Sequence, residues 1–461
     1  MLVMFIMLAA PDTLWTKTYG GSNLDIPGRR VYQTSDQGFI IPATTRSFGY
    51  DDGALWLIKT DKDGNVEWEK IYEDAPPNDT LPQGALDVKP TGDGYILLGY
   101  TTSPENRYDL WLLRTDLAGD TVWTKRLGST LVEEPYTVLC ADDGYVIVAE
   151  LWTTPIKGYV IKTDLNGDTV WSRLLDGGTK DGVILANGDI VVTGSKPVPG
   201  HYADFYLARL DREGNLLWEK TFGYWNGELA NGIDITKDSG FILAGYTSSF
   251  GGPTTQLDFY IVRVDSSGDL IWDTHIDLTE NDYGYSIYKT GDGGFILCGF
   301  SGTLSSEVRD LTIVKIDENG DTLWTRVYGG SDHENGFCAK EISDSCYVAL
   351  GYTKSFGSGD RDIWLLVLGY HPGVAWGKAW NASLTLTPNP FSHQIEIGAV
   401  VKDGYVEIYD LSGRRVRTID HLPAIWDGRD AGGNILSSGV YLLLLKTHDR
   451  IINRGTVVYL R

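Results

Sequence analysis

The sequence predicts an all-β fold, and three observations lead to that prediction. The chain of 461 residues is rich in glycine, tryptophan and tyrosine (55, 15 and 26 residues) and has only 3 methionines. Aromatic residues favour half-buried strand faces and glycine serves tight turns, so the composition favours strands. A tryptophan recurs about every fifty residues, and an apolar strand recurs with it. A period of this length is typical of repeat architectures.

The tryptophan marks one strand of each repeat. It follows an Asp-x-x-Gly turn in every copy but the first, which is truncated. An apolar strand such as Gly94–Tyr100 or Gly240–Tyr246 is a second landmark, with a more polar strand before it and a third apolar strand after it. Four strands per repeat match a propeller blade, so the seven copies predict a seven-bladed β-propeller over residues 11–369. The tryptophans are Trp15, Trp68, Trp123, Trp171, Trp218, Trp272 and Trp324.

The two ends of the repeat array predict how the ring closes. The last repeat ends at Ile363–Leu368 with no tryptophan strand behind it, whereas Leu14–Tyr19 supplies an extra one at the N-terminus. We expect this N-terminal strand to complete the last blade, because an open ring would leave an unpaired strand edge. The tryptophans should dock on the Asp-x-x-Gly turns and hold blades together rather than stack on a ligand.

The charge balance excludes one class of partner. The formal net charge is −23, so nucleic acid is not an expected partner. Many acidic residues fall in turns such as Asp61–Asn65, which place carboxylates around a glycine but lack the distal glutamate of a calcium loop. Hydrogen bonding within an Asx turn explains them without metal. No cofactor is expected, and calcium is the one ion that the composition leaves open.

The N-terminus indicates export. Residues 1–10 form a short apolar run that ends in small residues, like a truncated signal peptide without its basic segment. Ten apolar residues are too few to span a bilayer, which takes about twenty. No other transmembrane segment is expected, and the predicted location is extracellular or the outer cell surface.

The four cysteines lack metal-ligand spacing, and we expect free thiols. Cys338 and Cys346 share a predicted hairpin, but the expected register places Cys346 opposite Glu341.

No motif for nucleophilic, zinc or phosphate chemistry is present, and the seven histidines are dispersed. Variable loops after the second strand of each repeat should cluster on one face, where aromatic side chains can stack on sugars or peptides. The alternative is that these rings fold back over blade edges. The candidate binding residues are Phe48, Tyr50, Tyr108, Tyr224, Trp225, Phe250 and Phe356.

A second domain follows a linker at residues 370–382. From residue 383 to 461 the chain carries Pro388–Phe391, the hairpin turn Asp410–Gly413 and the turn at Asp427 and Gly428. This series resembles the C-terminal sorting domain of type IX secretion substrates and the related flagellar hook-capping domain. The resemblance implies an immunoglobulin-like β-sandwich that interacts with outer-membrane secretion machinery.

The repeats over residues 12–369 resemble exported bacterial propellers with tryptophan docking, similar in logic to pyrroloquinoline-quinone-type blades, whose Asp-to-Trp spacing is one residue longer. That resemblance concerns architecture and implies no reaction. The expected function is a monomeric, secreted or surface-displayed, non-catalytic propeller that binds an extracellular carbohydrate, peptide or matrix ligand. The alternative is a secreted hydrolase or lyase with carboxylates at the channel mouth.

Overall fold

Strands account for all of the regular secondary structure that the computed structural model describes. It describes residues 11–73, 83–102, 108–129, 131–250, 256–303, 308–343, 345–369, 384–387, 392–399, 404–410, 414–447 and 450–459. These contain 36 strands and no helix, so the all-β prediction is confirmed. Among these residues no helix is long and apolar enough to cross a membrane. The leader at 1–10 and the linker at 370–382 lie outside the described residues.

The chain divides into two compact units, Met1–Leu368 and Gly369–Arg461. The strands of the repeat region are β1 Asp12–Tyr19, β2 Asp25–Pro27, β3 Tyr32–Gln33, β4 Phe39–Thr45, β5 Ala54–Thr60, β6 Val66–Tyr72, β7 Gly84–Thr91, β8 Gly94–Thr101, β9 Asp109–Asp116, β10 Thr121–Leu127, β11 Glu133–Ala141, β12 Gly144–Leu151, β13 Lys157–Thr163, β14 Thr169–Leu175, β15 Gly178–Ile184, β16 Ile190–Lys196, β17 Asp204–Leu210, β18 Leu216–Phe222, β19 Glu228–Ile235, β20 Phe241–Thr247, β21 Asp258–Val264, β22 Leu270–Ile276, β23 Asn281–Lys289, β24 Phe295–Gly302, β25 Arg309–Ile316, β26 Thr322–Tyr328, β27 Glu334–Ser343, β28 Cys346–Thr353 and β29 Asp362–Gly369.

These strands form seven antiparallel sheets in the described part of the unit. Sheet 1 has the order β2-β4-β5-β6, with β3 also paired to β4. Sheets 2 to 6 are β7–β10, β11–β14, β15–β18, β19–β22 and β23–β26, each in chain order. Sheet 7 has the order β27-β28-β29-β1, so its fourth strand comes from the N-terminus.

Each sheet packs on both of its neighbours. Alternate residues of a strand point to opposite faces, so Ile40 packs towards sheet 2 and Ile41 towards sheet 7. Core clusters lie between every pair of neighbouring sheets, with two of them between sheets 1 and 2 and one joining sheet 7 to sheet 1. The third strands are mostly buried, and β5 is buried throughout, whereas the fourth strands, such as β10, alternate between exposed and half-buried. The sheets therefore form a closed ring with the fourth strands on its perimeter.

A tryptophan on the fourth strand joins six of the seven sheets to a glycine of the next one, whereas Trp324 of sheet 6 packs edge-on against Tyr347 of sheet 7 at 5.6 Å. In those six sheets the indole lies on the glycine of the neighbouring Asp-x-x-Gly turn so closely that a β-carbon on Gly119 would lie 2.7 Å from the Trp68 ring. The six turn glycines have φ between +76° and +90°, which disfavours any other residue. The pairs are Trp15 on Gly64, Trp68 on Gly119, Trp123 on Gly167, Trp171 on Gly214, Trp218 on Gly268 and Trp272 on Gly320.

The aspartate of each turn stabilises the turn itself. Oδ1 of Asp61 accepts the backbone N–H groups of Asp63 (2.9 Å) and Asn65 (2.8 Å), and the other turns repeat this arrangement. This is an Asx turn, in which the carboxylate oxygen replaces a backbone acceptor.

The cysteines correct one predicted register. All four thiols are free. Cys346 lies opposite Ser343, not Glu341, because a bulge between Glu341 and Ser343 inserts one residue into β27. Cys338 lies opposite Leu350 on the same hairpin.

The second unit contains two antiparallel sheets. Their strands are β30 Leu384–Thr387, β31 Ile395–Ala399, β32 Gly404–Asp410, β33 Arg415–Ile419, β34 Ala424–Trp426, β35 Gly439–Thr447 and β36 Arg450–Tyr459. The order is β30-β31-β34 in one sheet and β33-β32-β35-β36 in the other. Both sheets contribute to one core, in which Trp426 is fully buried and its ring meets that of Tyr441 edge-on.

The joint between sheets 7 and 1 can be tested at Gly64. In Gly64→Ala the new methyl group would collide with Trp15 and would also suffer backbone strain at φ +76°. Gly200→Ala is the matched control, because Gly200 has φ +91° and no atom within 4 Å of an added β-carbon. Both variants should lose about 1–2 kcal/mol to strain, and Gly64→Ala should lose about 1–3 kcal/mol more through overpacking. Urea unfolding measures the difference, and equal losses would contradict the tryptophan joint.

Candidate ligand-binding site in the channel

The first strands of the seven sheets enclose a central channel. A cavity of about 570 Å³ in this channel is lined by residues from every sheet. Because the first strands begin at one end of the channel and finish at the other, residues early and late in them line different ends. The lining residues late in the strands include Tyr32, Lys89, Cys140, Asp234, Tyr288 and Lys340.

Arg30 ties several sheets together across the channel. Its guanidinium donates to Thr137 Oγ1 (2.5 Å) and forms ion pairs with Asp87 (3.4 Å) and Asp181. Oδ2 of Asp181 accepts the N–H of Ile233 (3.2 Å). Sheets 1 to 5 are thereby connected through one buried cation.

The cavity itself is lined by cations and phenol rings. Lys340 Nζ lies 3.7 Å from the ring centre of Tyr32 and 4.4 Å from that of Tyr288. Lys89 donates to the Tyr32 hydroxyl, and its Nζ lies 4.8 Å from the same ring. Burial, together with the charges of Lys89 and Arg30, lowers the pKa of Lys340 to about 8. The cavity wall therefore carries positive charge at neutral pH. Lys340 loses its proton at a lower pH than an ordinary lysine does.

A β-bulge interrupts the first strand of sheets 2 to 7 at an equivalent place. Each bulge adds one residue between two paired ones, for example Tyr136 between Pro135 and Thr137. Bulges re-aim side chains and are common beside functional sites. The added residues are Leu86, Tyr136, Lys180, Asn231, Tyr285 and Phe337.

Tyr136 is the centre of one side of the channel mouth. The Arg29 guanidinium lies 4.4 Å from the centre of its ring, and Lys180 Nζ lies 4.1 Å from it. Lys180 also donates to the Tyr136 hydroxyl (2.6 Å), which in turn donates to Glu150 (3.0 Å). Burial and the Glu150 carboxylate raise the pKa of Tyr136. Cations from sheets 1 and 4 thus both lie against the Tyr136 ring.

Aromatic rings from sheets 6 and 7 form the other side. Tyr285 meets Phe337 edge-on at 5.1 Å, and Tyr283 is parallel to Phe300 at 5.4 Å. Burial raises the pKa of Tyr285, whereas the charges of Arg29 and Arg309 act to lower it.

Two further arginines lie over aromatic rings of sheets 6 and 7. The guanidinium of Arg309 is 4.7 Å from the centre of Phe300, and that of Arg361 is 5.0 Å from the centre of Tyr352. Neither of them, nor Arg29, has a carboxylate partner within 4 Å among the described residues. We call Arg29, Tyr136, Lys180, Tyr283, Tyr285, Phe300, Arg309, Phe337, Tyr352 and Arg361 the mouth cluster.

The mouth cluster can hold a flat anionic group. Cations over aromatic faces gain about 0.5–1 kcal/mol where exposed and about 2 or more where desolvated. An arginine guanidinium also offers a planar fork of donors that matches a carboxylate. The arrangement thus supplies aromatic faces for stacking and unpaired donors for negative charge.

Three of the predicted loop aromatics pack against the edges of their own sheets. Phe48 meets Trp56 at 5.5 Å, Phe356 meets Trp364 at 5.5 Å, and Phe250 stacks on His275 at 4.1 Å. Each follows a serine bonded to the carboxylate that starts the first strand of its sheet, as Ser47 is to Asp25 at 2.7 Å. These contacts favour the edge-covering interpretation, and a binding role for the three rings stays a prediction.

The other predicted residues are dispersed. Tyr224 donates to Asp273 (2.8 Å) and meets Phe250 edge-on, and Tyr50 is half-buried. Trp225 is 66% exposed. Tyr108 meets Tyr100 edge-on at 5.1 Å and lines a pocket of about 330 Å³ with Trp152. The structure does not bring the seven predicted residues into one cluster.

Sequence reasoning did not find the mouth cluster. Four of its residues, Tyr136, Lys180, Tyr285 and Phe337, are bulge residues at the third to fifth place of the first strand. The six bulge positions carry Leu, Tyr, Lys, Asn, Tyr and Phe. The sequence signal that could have indicated the mouth cluster is a position that varies inside an otherwise regular repeat.

The channel carboxylates are engaged in structural bonds. Asp87 and Asp181 are buried against Arg30 and accept backbone N–H groups from Val138 (3.1 Å) and Gly182 (2.6 Å). Asp234 accepts the N–H groups of Ile235 (2.7 Å) and Lys289 (2.9 Å), and burial raises its pKa. A pair of free carboxylates suited to acid–base chemistry is therefore not found among the described residues that line this cavity.

No protein-family profile and no curated protein matches this sequence. Among solved structures, the chain is similar to the Pan2 WD40 domain of Neurospora crassa (11% identity, 78% of this chain and 97% of that one, TM-score 0.46). It is similar to PorZ, a surface component of the type IX secretion system of Porphyromonas gingivalis (10%, 92% and 74%, TM-score 0.24). It is also similar to puromycin hydrolase (13%, 91% and 58%, TM-score 0.45).

The lowered pKa of Lys340 predicts unusual reactivity. Its amine should become neutral near pH 8, whereas exposed lysines need about pH 10.5. Trace labelling with acetic anhydride, followed by peptide mass spectrometry, should show a reactivity inflection near pH 8 at Lys340. Lys62 is the control, because its ion pair with Asp63 raises its pKa and should move the inflection above the ordinary value. The same pH profile at both lysines would contradict the channel electrostatics.

Proposed function

We propose that residues 11–369 form a seven-bladed β-propeller and that it is a non-catalytic binding protein. The seven four-stranded sheets, each packed on two neighbours, support the blade count. The N-terminal strand β1 supplies the outer strand of the last blade. The molecule is expected to be a monomer, because ring closure pairs the edge of β29 internally.

The proposed ligand is an anionic extracellular carbohydrate or an acidic protein segment of the matrix. The observation that carries this proposal is the set of three arginines at the channel mouth, each placed over an aromatic ring and without a carboxylate partner in the described residues. In a chain of net charge −23, unpaired arginines in one place are unexpected unless an anion neutralises them. The predicted residues Tyr108 and Trp225 are proposed as contacts at the rim.

We further propose that residues 383–461 form an immunoglobulin-like sorting domain and that the protein is exported to the cell surface or the medium. The two-sheet sandwich around Trp426 supports this domain assignment. The apolar run at residues 1–10 supports export as a leader segment. Calcium remains a candidate ion.

The hydrolase or lyase alternative has less support. It requires carboxylates free to transfer protons at the channel, whereas Asp87 and Asp181 are occupied by Arg30 and by backbone donors. Only Asp234, with its raised pKa, faces the cavity as a single candidate acid.

Arginine substitution tests the binding proposal. On an array of acidic and neutral glycans and peptides, the chain should retain acidic probes, and retention should weaken with added salt. Arg29→Gln, Arg309→Gln and Arg361→Gln should each weaken binding of the best probe about tenfold, since a hydrogen bond to a charged group contributes about 1.5–3 kcal/mol.

Arg212→Gln is the matched control, because this arginine is 64% exposed and pairs with acidic residues on the perimeter. Equal retention of neutral and acidic probes, or equal loss in the control, would contradict an anionic ligand at the mouth. Turnover of any retained probe, abolished in Asp234→Asn, would favour the enzymatic alternative.

The sorting proposal predicts transport of a fused reporter. A periplasmic reporter carrying residues 383–461 should reach the surface or medium of a bacterium with type IX secretion, and should stay in the periplasm of a secretion mutant. A control fusion that ends at residue 447 lacks β36, which pairs along β35, and should remain inside. Export of both fusions, or of neither, would contradict a sorting role. Immunoblotting of cell fractions provides the measurement.

A further inference from the structure

Carboxylates meet in pairs at five of the seven junctions between sheets. One comes from the start of the third strand of a sheet, and the other from the start of the first strand of the next sheet. At the junction of sheets 7 and 1 these are Asp362 and Asp25, which are 1% and 0% exposed. Asp109 with Glu133 and Asp310 with Glu334 occupy the same places at two other junctions.

Two buried carboxylates side by side repel each other unless something neutralises them. Asp25 is held by three donors: the N–H of Gly21 (2.7 Å), Thr45 Oγ1 (2.5 Å) and Ser47 Oγ (2.7 Å). Such donors stabilise a charged carboxylate. Oδ2 of Asp362 accepts the N–H groups of Ser358 (2.6 Å) and Gly359 (3.2 Å). A charge on Asp362 would therefore lie beside the Asp25 carboxylate in a buried site.

In three of these pairs, one buried carboxylate oxygen has no hydrogen-bond partner among the described residues. Oδ1 of Asp362 is buried and has no hydrogen-bond partner among the described residues, and the same holds for Oε2 of Glu133 and Oδ1 of Asp310. A buried acceptor without a donor is costly, so a recurring one indicates a missing partner. The backbone leaves room only for glycine beside it, because a β-carbon on Gly20 would lie 1.8 Å from Asp362 Oδ1.

At two other junctions, a side chain of the protein takes the place of the missing hydrogen-bond partner. At the junction of sheets 4 and 5, the equivalent oxygen of Asp204 contacts Nδ1 of His201 at 2.8 Å. At the junction of sheets 3 and 4, Lys157 replaces the first carboxylate and pairs with Asp176 at 2.6 Å. Where the chain supplies a donor or a cation of its own, the oxygen is satisfied.

A third carboxylate joins the pair at the junction of sheets 5 and 6. One oxygen from each of Asp258, Asp277 and Asp282 lies within 4.8 Å of the others. Asp277 directly follows the fourth strand of its sheet, as Gly20 does at the junction of sheets 7 and 1. Oxygen-only ligands from carboxylates, completed by backbone carbonyls and water, are the chemistry that Ca²⁺ prefers.

We propose that the junction carboxylates, foremost Asp25 with Asp362, bind divalent cations of the calcium type. The ions would join neighbouring sheets at the channel end where the first strands begin. This site differs from the Asp-x-x-Gly turns, whose aspartates are satisfied by backbone N–H groups. Its ligands are carboxylates, whereas the mouth cluster offers arginines and aromatic rings.

The full chain, freed of metal by a chelator, is titrated with CaCl₂ in a calorimeter and melted with and without calcium. More than one ion should bind per chain, and calcium should raise the melting temperature by roughly 5 °C. Asp362→Asn should bind one ion fewer and lose part of that gain. Asp164→Asn, on an exposed Asp-x-x-Gly turn, is the matched control and should keep both.

Terbium luminescence on the unmodified chain keeps the proposal testable if Asp362→Asn fails to fold. Terbium should bind with emission sensitised by nearby tryptophans, and calcium should displace it. No heat, no displaceable terbium and equal melting temperatures would overturn the proposal, leaving a shared proton between the carboxylates. Loss of calcium binding in Asp164→Asn but not in Asp362→Asn would overturn it as well.

Discussion

The repeat unit depends on one contact: an indole ring lying on the backbone of a glycine in the neighbouring sheet. Each contact joins sheet to sheet in one direction, from the fourth strand of one to the outer turn of the next. The contact recurs at six of the seven junctions, including the one between the last sheet and the first. Strand β1 provides it there, because it completes sheet 7 with hydrogen bonds and places Trp15 on Gly64. The truncated first repeat therefore retains the part that closure requires.

This framework separates structural from variable positions. The tryptophan, the turn aspartate and the positive-φ glycine all lie at the perimeter, where neighbouring repeats pack against each other in the same way. The first strands face the channel, and there the bulge position changes from Leu86 to Tyr136 to Lys180 around the ring. Because a bulge residue makes no cross-strand pair, its side chain can vary without disturbing the ladder. The scaffold thus tolerates variation at the positions that line the mouth.

The perimeter was predictable from the sequence, and the channel was not. Tryptophan spacing reports packing between neighbours, so the repeats, their four strands and the role of Leu14–Tyr19 could be inferred from local pattern. The mouth cluster depends on which residues of seven distant strands meet, and on bulges that shift the register by one. The same cause displaced Cys346 from the expected partner, Glu341, to Ser343. Loop aromatics such as Phe48 looked available because sequence does not reveal the Trp56 ring against which Phe48 packs.

The junction carboxylates and the mouth arginines are adjacent in the chain. Arg309 immediately precedes Asp310, and Arg361 immediately precedes Asp362. The backbone carbonyl of Arg361 also accepts the N–H of Asp25 at 2.7 Å, so the residue that contributes to the mouth is held by the junction itself. A cation between Asp25 and Asp362 would neutralise two charges that otherwise attract the Arg361 guanidinium away from the mouth. It would also fix the backbone that positions this arginine. Ion binding at the junctions and anion binding at the mouth would therefore strengthen each other. The cation neutralises the junction carboxylates and the anion neutralises the mouth arginines, so each ligand removes a charge that would otherwise be uncompensated.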